Sequence, residues 1–280
     1  MEWRNLYRGV LMGISDLIPG VSGGTIAVVL GIYDRLLQAI SGFFSRQWKR
    51  HIGFLLPLAA GMGAAIVSLS RVIEYVLAHY FAPTQFFFIG LIIGVLPLIT
   101  RQAGGARGSR PAHLLVLLVA AVLLGLMALV NGDEHGGEPL TDPDIATMAG
   151  LFFSGWLASM AMLLPGISGS LVLLLLGVYP TAIYALSNLD LMLMALIGSG
   201  VIIGFIVSSK AIRYLLQHYA RITHAAIIGL LIGSVAVIFP GIPREAGTIA
   251  ACVVTLLCGL GIAYGFGAAD RKRAAKGEWS

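Results

Sequence analysis

The sequence predicts an all-α integral membrane protein. It is read as two inverted-topology repeats, each with a broken or re-entrant helix pair plus three transmembrane helices. Three observations predict this. The first is composition. Of 280 residues, 58% are hydrophobic and 11% are charged, with a mean hydropathy of +0.91. A soluble domain carries roughly 25% charged residues, so this chain cannot cover a water-facing surface. Its apolar runs are long and do not alternate with period two, which makes the spans helical. The second observation is duplication. PGVSGGTIAVVLGIY (19–33) aligns without a gap with PGISGSLVLLLLGVY (165–179), and YVLAHYFAPTQFFFIGLIIG (75–94) with YLLQHYARITHAAIIGLLIG (214–233). The third is charge. With the N-terminus inside, 15 of the 18 basic residues fall on the inner side, Arg71 and Arg244 lie outside, and Arg35 lies within a segment, as the positive-inside rule requires.

In order, the first repeat (1–130) holds apolar segments at 6–18, 25–40, 52–70, 85–100 and 113–130. The acidic linker NGDEHGGEPLTDPD (131–144) follows, and its glycines and prolines argue for an external loop. The second repeat (145–270) holds segments at 145–164, 171–186, 191–209, 224–239 and 248–266, and 271–280 is a basic cytoplasmic tail. A full span needs about 20 residues, and the shortest segments flank the two Pro-Gly breaks. Each repeat crosses an odd number of times whether its broken pair crosses twice or dips and returns. The second repeat must therefore be inverted. The same parity leaves re-entrant and fully crossing pairs both open.

Several functions are excluded by residue pattern. The net charge of +5 comes from basic residues between apolar segments, so it signals orientation and not nucleic acid. Cys252 and Cys258 are six apart on one helix and face different sides, which argues against a disulfide between them. No clustered Cys/His or His-x-x-Glu-His run calls for a metal, and no cofactor is expected. An intramembrane phosphatase would need a nucleophile with a base, yet neither PGVSGG nor PGISGS contains a histidine.

The breaks carry the chemistry. Irregular backbone at membrane depth is tolerated only where protein or a polar cavity satisfies it. Pro19 and Pro165 stop the preceding helices. Ser22 and Ser168 are suited to cap the following ones. Gly23, Gly24 and Gly169 permit close approach to the backbone. Helix N-termini of this kind bind anions, phosphate above all. Paired breaks in inverted repeats are the pattern of secondary transporters with a midplane site. Close helix packing is the structural alternative.

SDLIPGVSGGTIAVVLGIYDRLL (15–37), AMLLPGISGSLVLLLLGVYP (161–180) and the FFFIGLIIG and GLLIGS blocks resemble the paired signatures of the PopT family of undecaprenyl-phosphate translocases. The resemblance covers nearly the whole chain. It implies a multi-pass bacterial inner-membrane flippase that returns the polyprenyl-phosphate lipid for reuse in cell-wall synthesis, coupled to the proton-motive force. One position departs from the family pattern: Pro180 stands where an acid commonly follows the second Gly-x-Tyr, as Asp34 follows the first.

Ser22, Gly23, Gly24, Thr25, Ser168, Gly169 and Ser170 are the candidate head-group contacts, with capping and packing as the alternative. Arg71 and Lys210 align across the repeats and could draw a phosphate in from either leaflet; snorkelling is the alternative. Tyr33 and Tyr179 could hydrogen-bond the phosphate, though interfacial tyrosines are common. Asp16, inside an apolar run, and Glu74, beside Arg71, are the candidates for proton coupling. Asp16 could equally be a hydrogen-bonded acid that holds the broken backbone. A competing function is ion-coupled transport of a small anionic solute, which would need a closed polar cavity instead of a groove open to lipid. The small-residue helices could pack within the chain or between chains, so a homo-oligomer stays open.

Overall fold

The computed structural model describes residues 2–18, 21–43, 45, 48–102, 111–127, 140 and 143–275, without side chains at 102, 127 and 266–275. Pro19 and Gly20 of the first break, most of the acidic linker and 276–280 lie outside the described residues, as do Arg46, Arg107 and Arg110 of the charge pattern. The described residues form eleven helices and no strand. They are α1 (Arg4–Asp16), α2 (Gly23–Val29), α3 (Tyr33–Ser41), α4 (Trp48–Gln102), α5 (Pro111–Met127), α6 (Ile145–Leu163), α7 (Gly169–Leu175), α8 (Tyr179–Ser187), α9 (Leu191–His218), α10 (Ala220–Ile238) and α11 (Ala246–Ala275). Five of them, α4, α6, α9, α10 and α11, are long and apolar enough to cross a membrane. Helix α11 runs five residues into the segment read from sequence as a tail.

The segments 25–40 and 171–186, each read as one apolar run, are each two helices. Both turns are built alike. Gly31 and Gly177 have φ of 68°, a left-handed conformation open to glycine without penalty. Around Gly31, Ile32 N–H donates to Ala27 O (2.9 Å) and Gly31 N–H to Val28 O (3.0 Å); around Gly177, Val178 N–H donates to Leu173 O (2.9 Å) and Gly177 N–H to Leu174 O (2.9 Å). This pair of bonds is the Schellman helix stop. Helices α7 and α8 are bent from one another by 113°. Hydropathy could not show these turns, because every residue in them except the glycine is apolar.

The segments 52–70 and 85–100 fall in two separate helical arms, as the sequence predicts. They belong to one 55-residue helical stretch whose single non-helical residue is Tyr80 (φ −131°, ψ 39°). A straight helix of that length would reach about 80 Å, far beyond the ~30 Å hydrocarbon core. The break at Tyr80 therefore divides α4 into two arms. Pro83 stands in the first turn after it, where its missing N–H costs little. Between α9 and α10, Tyr219 has nearly the same backbone (φ −128°, ψ 39°). His79 stacks on Tyr75 and His218 on Tyr214, with 4.2 Å between ring centroids in both cases.

Helix packing rests on glycine contacts at corresponding positions of the two aligned halves. A Cβ on Gly9 would collide with the carbonyl oxygen of Leu58, and one on Gly61 with that of Leu6, which locks α1 to α4. Gly155 meets Ile197 O and Gly200 meets Phe152 O in the same way, which locks α6 to α9. Gly90 meets Leu256 O, pairing α4 with α11, and Gly229 meets Leu117 O, pairing α10 with α5. Lipid tails are as apolar as leucine, so close van der Waals contact between small residues, not hydrophobic transfer, holds such helices together. Helices α5 and α11 each pack on the other half of the chain, which interlocks the halves.

Burial is not symmetric. All seven residues of α2 are buried, whereas in α7 only Gly169 is. The main core runs from Met12 to Ala263 and includes α2 and α3, while α7 and α8 flank a small separate cluster of Leu151, Val178, Ala185, Leu193 and Ile197. Two acids cap helices outside this core. Asp144 Oδ1 accepts from Thr147 N–H (2.8 Å) at the start of α6, and Asp190 Oδ1 accepts from Met192 and Leu193 at the start of α9. The Thr147 hydrogen bonds hold the exposed Asp144 carboxyl below the usual carboxylate range.

Candidate functional site

The two breaks meet. Gly166 N–H donates to Thr25 Oγ1 (2.9 Å) across the chain, and Tyr33 Oη donates to Leu163 O (2.8 Å), the last carbonyl of α6. Gly24 lies against the same helix end, since a Cβ there would sit 2.9 Å from Met162 O. Ser22 caps α2 by accepting from Thr25 N–H (3.3 Å). Ser22 and Thr25 are 3% and 1% exposed, so both hydroxyls are committed inside the protein. Thr25→Val is expected to leave the buried Gly166 N–H without an acceptor and to cost about 1–3 kcal/mol. Thr25→Ser should recover most of that, read from the midpoint of thermal unfolding in detergent.

Asp16 closes the first break from the other side. Its Oδ1 accepts from Gly23 N–H at 2.6 Å, so a carboxylate already occupies the donor that sequence reasoning offered to a phosphate. The second break is more open. Ser168 and Ser170 hydrogen-bond one another (2.7 Å) in an exposed position, and Gly169 is pressed against the Met162 side chain. Tyr179 is half-buried at the start of α8. Arg71, Glu74 and Lys210 are exposed on α4 and α9.

A cavity of about 400 Å³ opens beside the first break. Asp16, Gly23 and Gly24 contribute to its wall, and the remainder is apolar: Met12, Leu36, Leu58, Met62, Met162 and Phe205 are among the side chains lining it. Along α4 the lining runs from Met62, which packs on Gly13 one turn before Asp16, to Leu55 at the far end. Arg71, Lys210 and Tyr33 do not line this cavity. Sequence reasoning missed the α3, α4 and α9 residues that build it, because an apolar lining residue looks the same as one that faces lipid. The only signal was the concentration of glycine at 23–24. Among the described residues no group of three or more His, Cys, Asp or Glu could hold a metal ion.

A family model described as undecaprenyl phosphate translocase-like matches residues 12–254. The chain belongs to that family. A polyprenyl-phosphate transporter of Staphylococcus aureus is 40% identical over 251 residues, covering 87% of this chain and 88% of the relative. A polyprenyl-phosphate transporter of Vibrio cholerae is 34% identical over 254 residues, covering 86% and 79%. No solved structure matches. Like these translocase-family relatives, the chain is read as a transporter, and its five candidate spans make it a multi-pass membrane protein.

Proposed function

We propose that this protein is a flippase that carries undecaprenyl phosphate across the bacterial inner membrane, with the phosphate passing between the paired breaks and the isoprenoid chain lying in the apolar cavity. The observation that carries the reading is the composition of that cavity. It has room for several isoprene units, and its polar wall is confined to Asp16, Gly23 and Gly24. A carrier of a small anionic solute would need polar groups around its cargo, and nothing in this lining favours it.

An inverted arrangement of the two halves belongs to the same proposal. In its support, aligned glycines make corresponding contacts in both halves and Tyr80 and Tyr219 share a backbone conformation. The pairs α2–α3 and α7–α8 are taken as re-entrant: helices of seven and nine residues reach only about 10 and 13 Å. With the 113° turn between α7 and α8, such a pair falls well short of the ~30 Å core. Both termini then lie on the cytoplasmic side.

Proton coupling follows from competition at one donor. A phosphate that accepts from Gly23 N–H must displace Asp16, and two anions at one buried donor repel. Protonation of Asp16 would release the donor, so the phosphate enters as the proton does. Ser168, Gly169 and Ser170 supply the second half of the path, Tyr33 stands where the breaks meet through its hydrogen bond to Leu163 O, and Arg71, Lys210, Tyr179 and Glu74 act at its ends.

The test is a proteoliposome assay. Undecaprenyl phosphate placed in one leaflet should become inaccessible to an added phosphatase faster with the protein than without it. Equal rates in empty and loaded vesicles would overturn the proposal.

A further inference from the structure

A second, polar recess lies between α3 and α4, near the start of α4. It measures about 40 Å³ and is walled by Arg35, Gln38, Ala39, Arg50, His51 and Phe54. It shares α3 and α4 with the cavity: on α4, residues 50, 51 and 54 stand one turn beyond the cavity-lining residues 55, 58, 59 and 62, and on α3 residues 35, 38 and 39 lie beside 36 and 40. Its volume would hold about three water-sized atoms, the number of outer oxygens on one phosphate.

Local structure explains why cations gather there. Pro57 has no N–H to give Gly53 O, its helical partner, and Glu2 N–H fills the gap at 3.1 Å. Asn5 Nδ2 donates to the neighbouring Phe54 O (3.2 Å), which fixes the start of α1 against α4. Glu2 placed this way forms an ion pair with Arg35, whose guanidinium also lies over the Phe54 ring, 5.2 Å from its centroid. Arg35 is therefore anchored and its charge is offset by Glu2. Arg50 and His51 are not offset: among the described residues neither has a hydrogen-bond or ion-pair partner. His51 packs its ring on Gly42 at the C-terminal end of α3, where a Cβ would collide with the imidazole. Arg213 reaches the same end of α3, donating from Nη1 to Ser41 Oγ (3.3 Å).

We infer that this recess docks the phosphate group of the lipid, through Arg50, His51 and Gln38, while its hydrocarbon chain reaches the apolar cavity. The inference rests on the transport reading and adds a station to it. The cavity and the recess are of opposite electrostatic character. At the break, the Asp16 carboxylate holds the nearest backbone donor and opposes an anion. At the recess, two cationic or protonatable groups and an amide face a half-exposed space, where charge-assisted hydrogen bonds to phosphate can form. A phosphate arriving from the membrane surface meets the recess first and enters the break only when Asp16 yields.

The test is native mass spectrometry of the full-length protein in detergent, titrated separately with undecaprenyl phosphate, undecaprenol, phosphatidylglycerol and inorganic phosphate. The double variant Arg50→Gln/His51→Gln is expected to bind undecaprenyl phosphate about tenfold more weakly, to bind undecaprenol as before, and to regain affinity when position 50 is lysine. Undiminished undecaprenyl-phosphate binding in the double variant overturns this inference and leaves the transport reading standing. An equal loss for phosphatidylglycerol, or displacement of undecaprenyl phosphate by inorganic phosphate at equal concentration, overturns the assignment to the transported lipid. No preference of the wild-type protein for undecaprenyl phosphate over undecaprenol and phosphatidylglycerol overturns both readings.

Discussion

Gly61→Leu is expected to remove most of the protein's thermal stability. The helices α1 and α4 approach so closely that a Cβ at Gly61 would collide with Leu6 O, and one at Gly9 with Leu58 O. Neither obstacle is the end of a flexible side chain. Both are helix backbone, so relief requires moving α1 as a body. Overpacking of this kind costs typically 1–3 kcal/mol and can cost more, and the upper end, about 3 kcal/mol, is expected here. The displacement would also carry Asp16, the last residue of α1, away from Gly23 and break their hydrogen bond, so transport should fail with the fold. Gly63→Leu, two residues along the same helix, is the control: nothing lies within 4 Å of a Cβ there, and the variant should melt with the wild type. Recovery of monodisperse protein after heating, followed by size-exclusion chromatography, separates the two. Equal recovery of Gly61→Leu and wild type would mean that the α1–α4 contact is looser than described.

Asp16→Asn should separate the structural role of this residue from its proposed coupling role. The asparagine amide oxygen can still accept from Gly23 N–H, so the first break keeps its closure. The variant should fold with a melting temperature near that of the wild type. It carries no titratable proton, so its movement of undecaprenyl phosphate in proteoliposomes should no longer respond to an imposed pH gradient. Asp16→Leu removes both functions, leaves Gly23 N–H unpaired, and is expected to lose about 1–3 kcal/mol of stability as well. If Asp16→Asn keeps the full response to the gradient, Asp16 is a structural cap only and the proton travels elsewhere.

How much of this was legible in the sequence differs by feature. The repeated PGVSGG and PGISGS stretches pointed to two breaks, and the hydrogen bond from Gly166 to Thr25 joins the segments they begin. Asp16 stood out because an acid in an apolar run needs a partner, although the partner, Gly23 N–H, lay across a turn that no periodicity reveals. The glycines of the aligned blocks were visible as matched letters. That they face backbone carbonyls was not, because a glycine needed for close approach and a glycine needed for a turn are the same letter. Gly31 and Gly90 illustrate the two cases.

What the sequence determined by itself is the class: a helical chain too apolar for water, duplicated, with its irregular backbone in two matching places. These follow from local chemistry, since hydropathy, proline and glycine act on the residues where they stand. Only the tertiary structure decided which of the two breaks is buried and which is open, that Tyr80 and not a loop divides α4, that an apolar cavity runs from Asp16 along α4 to Leu55, and that a cationic recess stands one turn further along α4. These features come from surfaces of helices far apart in the chain. Met12, Leu36, Leu58 and Phe205 become a cavity wall only when α1, α3, α4 and α9 are packed, and no residue among them carries that information alone.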